Sequence, residues 1–203
     1  MGELLFVTGG ARSGKSAFAE RIVAAAATTS GAAVTYVATL EPLDAEMRDR
    51  IARHQAQRPV GWVTVEAPRD LGGAYAAIAP DQMVLVDCLS LWVSNRLLQL
   101  GEELAPDAVA ALEAELLDEI EHFARRARQR AAITVVVSNE VGSGVVPPSA
   151  LGRVYRDLLG RANQSISRHA DRAWLLVAGR ALELSAPDAT PGGTPRAPSS
   201  RGE

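Results

Sequence analysis

The sequence predicts an α/β protein: a mostly parallel sheet with helices on both faces and an antiparallel C-terminal hairpin. Three observations predict it. Short apolar runs alternate along the chain with longer amphipathic segments, the pattern of parallel strands joined by crossover helices. The runs Leu4–Val7, Met83–Val86 and Ile133–Val137 are apolar at nearly every position, as strands covered on both sides require. Near the end, two strand-like runs are separated only by Gly179-Arg180, a connection suited to a two-residue hairpin.

The elements follow in order. Residues Glu3 to Val7 form the first strand and Ala17 to Ala27 a helix, with Phe18, Ile22 and Val23 at helical spacing. Thr28 to Gly31 reads as a turn and Ala33 to Ala38 as the second strand. A charged helix is expected from Asp44 to about Gln57, stopped by Arg58-Pro59. Trp62 to Glu66 alternates as a short strand, Leu71 to Ala79 is helical, and Met83 to Asp87 is a buried strand ending in an acid. A helix spans Leu89 to Leu100. The longest begins near Pro106-Asp107, where Asp107 is the expected cap, and carries the stripe Val109, Leu112, Leu116, Ile120, Phe123 and Ala127. Arg125, Arg126, Arg128 and Arg130 suit the negative end of its dipole. Ile133 to Ser138 is a strand, Ser149 caps a helix to about Ala170, and Ala173 to Ala178 pairs with Ala181 to Leu184. One domain over residues 1–185 is expected. The Pro-, Gly- and Ser-rich stretch 186–203 has no apolar periodicity and reads as a disordered tail.

Composition narrows the function. The 203 residues carry a net charge of −3, which argues against a nucleic-acid or anionic-membrane partner. A single cysteine, Cys88, rules out an internal disulfide and a multi-cysteine metal site. The N-terminus lacks a charged segment followed by an apolar one, and no apolar run is long enough to span a bilayer. A cytoplasmic protein is the expectation.

Between the first strand and helix lies Gly9-Gly10-Ala11-Arg12-Ser13-Gly14-Lys15-Ser16, the G-x-x-x-x-G-K-[ST] pattern of a phosphate-binding P-loop in the strand–loop–helix setting it needs. Backbone N–H groups and the helix start provide partial positive charge. Lys15 would reach the terminal phosphates, and the Ser16 hydroxyl would hold Mg²⁺. Lys15 is also the only lysine in the chain. Asp87, at the end of an apolar strand, would hold Mg²⁺ through water or activate an acceptor hydroxyl; alternatively it only caps the helix that follows. His54 shares a helix face with Met47 and Ile51 among Arg50, Arg53 and Arg58. Neighbouring positive charge keeps imidazole neutral, hence nucleophilic, but the same pattern suits a surface histidine. Asn139 and Glu140, beyond a central strand, are candidate acceptor or metal ligands. His122 and His169 read as solvated, Cys88 as a small buried residue, and Trp62, Trp92 and Trp174 as core.

Five stretches then carry a resemblance: Thr8–Ser16; Arg50–His54 with Arg58-Pro59; Asp87–Asn95; Ser138–Pro147; and Arg156–Gln164. Together, and in this order over about residues 3 to 185, they resemble the bifunctional adenosylcobinamide kinase / adenosylcobinamide-phosphate guanylyltransferase family of cobalamin biosynthesis. The resemblance implies a P-loop NTPase sheet of RecA-like type and a homotrimer. It implies phosphorylation of adenosylcobinamide by a nucleoside triphosphate (ATP or GTP), then transfer of GMP from GTP to the phosphorylated product. The second step runs through a GMP-histidine, a role that falls on His54. Nucleotide contacts carry over to Gly9–Ser16, and to Ala38, Thr39, Leu40, Arg58, Glu66 and Asp87. Arg53 stands where some members have a second histidine, Leu40 where a smaller polar residue is usual, and the tail after Leu184 matches nothing.

Three competing functions share the loop. A P-loop kinase without nucleotidyl transfer would give His54 no covalent role. A GTP-gated switch commonly reads guanine through Asn-Lys-x-Asp, a motif this chain cannot have with its only lysine in the loop, which counts strongly against that function though not against guanine read by backbone or arginine. A DNA-assembling ATPase of RecA type is disfavoured by the net charge.

Overall fold

The computed structural model describes residues 2–41, 59–101 and 103–185. The elements are β1 (Leu4–Gly9), α1 (Lys15–Ser30), β2 (Val34–Ala38), β3 (Val63–Glu66), α2 (Leu71–Ala76), β4 (Met83–Asp87), α3 (Leu89–Leu98), α4 (Pro106–Gln129), β5 (Thr134–Asn139), α5 (Ala150–His169), β6 (Arg172–Val177) and β7 (Arg180–Leu184). The strands form one seven-stranded sheet in the order β3-β2-β4-β5-β1-β6-β7. Six strands run parallel, and β7 returns antiparallel to β6. The expected α/β architecture is borne out, hairpin included.

Alternation along each strand divides two cores. Leu4, Phe6, Val84, Val86 and Val136 face α2, α3, α4 and α5. Leu5, Val7, Leu85, Val135, Val137, Trp174 and Leu176 face α1 through Ala19 and Val23. The α4 stripe packs as expected, with Leu112, Leu116, Ile120, Phe123 and Ala127 all buried. Trp92 is fully buried and its indole N–H donates to Arg69 O at 2.9 Å, so the large apolar body is covered and its polar edge satisfied. Trp174 is buried and Trp62 half-buried against the α1 core.

Several local expectations are corrected. Thr28, Thr29 and Ser30 are not a turn; they extend α1, each hydroxyl donating to the carbonyl four residues back, and Gly31 caps the helix with φ 74°. Back-bonding lets hydroxyl residues remain helical. Asp107 does not cap α4: Ala105 is the cap, Pro106 takes the first helical position, and Asp107 sits in the first turn, where its charge still suits the dipole. Arg130 is not a solvated dipole partner. It is buried over the Tyr75 ring and donates to the carbonyls of Ile78, Ala79 and Gln82, fastening the α2–β4 connection. The hairpin turn is Ala178-Gly179, not Gly179-Arg180, because Val177 pairs with Arg180. Both turn residues have positive φ, 52° and 78°, as the turns that match strand twist require. His169 pairs with Glu121 at 2.7 Å instead of facing only water. Ser149 caps α5 as expected, accepting from Gly152 N. The helix expected over 44–57 and the tail 186–203 lie outside the described residues.

Candidate nucleotide site at the carboxyl edge of the sheet

The parallel strands point their carboxyl ends the same way, and the described candidate residues gather on that edge. Ala38 is in register with both Glu66 and Asp87, and Gly9 with Asn139. Helix N-termini and loop backbone converge there, which is where open parallel sheets take ligands.

The loop Gly9–Ser16 leaves β1 and enters α1 at Lys15. Gly9 allows close approach: a Cβ there would lie 2.5 Å from Leu176 O and 2.7 Å from Ser13 Oγ. Gly14 caps α1 with φ 93°, and a Cβ would press on Gly179 Cα at 3.3 Å. The hairpin turn also holds the loop directly, since Gly179 N–H donates to Ser13 O at 2.9 Å. Gly10, Ala11 and Arg12 are exposed, Ser13 is buried, and Lys15 and Ser16 are half-buried at the helix start. The Lys15 ammonium donates to Gly10 O at 3.2 Å, folded back over its own loop.

Asp87 ends β4 on the α1 side of the sheet, where the Tyr36 hydroxyl donates to its Oδ2 at 2.8 Å. Tyr36 fixes this carboxylate and was not singled out from sequence; an aromatic inside an apolar strand gives no sign that its hydroxyl matters. Beside it, burial first and then the Asp87 carboxylate push the Cys88 thiol up to about 11, against the opposing pull of hydrogen bonds and Lys15. The thiol stays protonated at neutral pH and is no nucleophile.

Thr39 is fully buried. Its hydroxyl accepts from Cys88 N–H and donates to Cys88 O, both at 2.7 Å, and its carbonyl accepts from Asn95 Nδ2 at 2.8 Å. These bonds lock the ends of β2 and β4 to α3, so the Thr39 side chain is committed to the fold. Leu40 is half-buried beyond it and Glu66 is exposed. His54 and Arg58, with Arg50 and Arg53, lie outside the described residues.

Stretches distant in sequence meet here. Ser138 Oγ donates to Asn163 Oδ1 at 2.6 Å, and Asn163 Nδ2 donates to Asn139 O at 3.0 Å. Tyr155 OH donates to Ser90 O at 3.2 Å. Glu140 N–H donates to Gly9 O at 3.0 Å, seating the β5 loop against the P-loop. Asn163 and Tyr155 hold backbone in place, a role that only the tertiary fold exposes.

For Mg²⁺, the donors available are a hydroxyl, Ser16, and one carboxylate, Asp87, whose Oδ1 is not the oxygen bonded by Tyr36. No group of three or more His, Cys, Asp or Glu gathers among the described residues. Such a sparse, hard-oxygen set fits a metal that keeps water and shares substrate phosphates.

Comparison with known proteins agrees with this geometry. A sequence model of the family described as cobinamide kinase / cobinamide phosphate guanyltransferase (CobU) matches residues 5–184. The chain is 40% identical over 184 residues to the bifunctional adenosylcobalamin biosynthesis protein CobU of Salmonella typhimurium, covering 89% of this chain and 99% of that protein. It is 38% identical over 184 residues to the Escherichia coli protein of the same name, covering 89% and 99%. It is 40% identical over 182 residues to the bifunctional adenosylcobalamin biosynthesis protein CobP of Pseudomonas aeruginosa, covering 88% and 95%. The chain belongs to the cobinamide kinase / cobinamide phosphate guanyltransferase family.

Proposed function

We propose that this protein phosphorylates adenosylcobinamide with a nucleoside triphosphate and then transfers GMP from GTP to the product, yielding adenosylcobinamide-GDP and pyrophosphate. The observation that carries the reading is a loop of P-loop sequence leaving β1 on the same carboxyl edge of the parallel sheet at which Asp87 ends β4, in a chain that matches this family from residue 5 to 184.

In the first step the acceptor hydroxyl attacks the γ-phosphorus, its bond to the bridging oxygen breaks, and the nucleoside diphosphate leaves. The hydroxyl proton passes to a carboxylate at the edge, Asp87 being the candidate. Loop N–H groups from Gly9 to Ser16 and the Lys15 ammonium stabilise charge on the phosphate oxygens. In the second step a His54 imidazole nitrogen attacks the α-phosphorus of GTP and pyrophosphate leaves. A phosphate oxygen of the phosphorylated acceptor then displaces the histidine. Arg58, Ala38, Leu40 and Glu66 are assigned to nucleotide contact, with Thr39 acting through the backbone it holds. Mg²⁺, held by Ser16 and Asp87, would neutralise phosphate charge. The reading extends to a cytoplasmic homotrimer; exposed Val177, Leu182 and Leu184 support burial of the hairpin in an assembly, which sedimentation velocity tests.

The test is the intact mass of the protein after incubation with GTP and Mg²⁺. A GMP adduct is expected on the wild type and not on His54→Ala, which keeps kinase turnover. Lys15→Ala is expected to lose at least about 100-fold in both reactions. Full guanylyltransferase turnover by His54→Ala would refute the covalent step, and no adduct on the wild type would favour a kinase alone.

A further inference from the structure

A cavity of about 380 Å³ lies between α5 and the carboxyl ends of β1 and β5. Its polar wall is Thr8, Glu140, Asn163, Gln164 and Ser167, Phe6 is apolar lining, and Gly160 leaves the α5 side open. No residue from Gly9 to Ser16 lines it, so it is separate from the phosphate loop. It nevertheless adjoins that loop, because Thr8 precedes Gly9 and Glu140 N–H is bonded to Gly9 O.

The chemistry of the lining selects its ligand. Among the described residues no lysine or arginine lines the cavity, and Glu140 brings a carboxylate. Phosphate is therefore disfavoured, and neutral groups carrying N–H donors are favoured. Thr8 is 8% exposed, and its hydroxyl has no hydrogen-bond partner among the described residues. A buried hydroxyl left without a partner is costly, which points to a ligand that completes it. The volume falls at the small end of ligand pockets, sized for an arm of a large acceptor.

We propose that this cavity is the acceptor pocket of the kinase step and takes a primary carboxamide arm of the corrinoid. The inference rests on the proposed activity. A carboxamide offers two N–H donors and a carbonyl acceptor. Glu140 accepts, the Thr8 and Ser167 hydroxyls donate or accept, and the Gln164 amide does both. An arm anchored here brings the acceptor to the P-loop from the α5 side of the sheet, opposite to α1. Thr8, Gln164 and Ser167 are thereby specificity residues, and the γ-phosphate contacts belong to other groups.

Gly160 provides the cleanest test. It is helical, and a Cβ on it would meet nothing within 4 Å, so Gly160→Met is tolerated by the backbone while its side chain fills the cavity. With the full chain, adenosylcobinamide affinity is read by equilibrium dialysis, and KM for acceptor and for GTP by steady-state kinetics. Gly160→Met is expected to weaken acceptor binding and raise acceptor KM about tenfold or more, with GTP KM within about twofold. Gly160→Ala, too small to fill the space, is expected to behave as wild type. Thr8→Val is expected to raise acceptor KM about three- to tenfold while melting no lower than wild type, since it removes a hydroxyl that the fold does not use. Unchanged acceptor affinity in folded Gly160→Met overturns the pocket, and so does a rise confined to GTP KM, which would give the cavity to the guanine base. A wild type that binds adenosylcobinamide without phosphorylating it would strike the kinase reading, while the dialysis comparison still decides the pocket.

Discussion

Thr39 and Asp87 end adjacent strands, yet the structure uses them differently. Both were expected from resemblance to touch nucleotide. The Thr39 hydroxyl is spent on both backbone groups of Cys88, whereas the Asp87 carboxylate is half-buried and oriented by Tyr36. Thr39→Val leaves the buried Cys88 N–H unmet and removes one of the two donors to Cys88 O, which Trp92 N–H still serves, a cost of about 1–3 kcal/mol, which is expected to lower Tm by about 5 °C. GTP KM measured well below that Tm should stay within about twofold; a large rise would return the hydroxyl to the nucleotide. The titrating groups nearby make a second prediction. Burial is the leading cause that raises Cys88 from 9.0 to about 11, and Tyr75 and Tyr155 each from 10.0 to about 12. Between each pair of values the unfolded chain has released a proton that the folded chain retains, so stability falls as pH rises. The contributions are intact below pH 9.0 and are lost progressively towards about 12. Thermal melts across this range should show the decline, and Cys88→Ala should flatten its first part, whatever packing that substitution costs.

At the scale of elements, periodicity made the strands and long helices legible, while the details that aim the site depended on partners distant in sequence. Buried strands β1, β4 and β5 declared themselves as apolar runs because both faces are covered. The hairpin was legible but its turn was misplaced by one residue, because a glycine marks a tight turn without saying which neighbour shares it. Register against β6 decides it and puts Ala178 at φ 52°. Alanine in the left-handed region costs about 1–2 kcal/mol, and asparagine tolerates it better. Ala178→Asn, at an exposed position, is expected to raise Tm by about 2 °C and to leave the bond from Gly179 N–H to Ser13 O intact. No gain on calorimetry would mean that the turn relaxes in solution. Arg130 was misread for a related reason: its charge suits a helix end, but three carbonyl partners from the α2–β4 connection take it into the interior.

For the whole molecule, the sequence motifs point to the carboxyl edge of the sheet as the candidate site, and the fold brings described parts of those separate stretches together there. Three of them meet directly, through Asn163 on Ser138 and Asn139 and Glu140 on Gly9, while Asp87–Asn95 is tied to residues just outside the stretches, through Asn95 on Thr39 and Tyr155 on Ser90. The Thr8 cavity was not legible, because it arises between α5 and β1, elements far apart in the chain. The boundary of the working unit is open to a direct test. Its last strand, β7, closes the sheet by pairing Leu184 with Ala173, and the family match ends at residue 184. The 18 residues after Ser185 are rich in Pro, Gly, Ser and Thr and carry no apolar stripe that could add to either core. A chain ending at Ser185 is therefore expected to melt within about 1 °C of the full protein and to keep both turnovers within about twofold. Calorimetry with steady-state assays of kinase and GMP transfer checks this. Loss of GMP transfer alone would assign the tail to the second reaction, and loss of Tm would show that it packs on the domain.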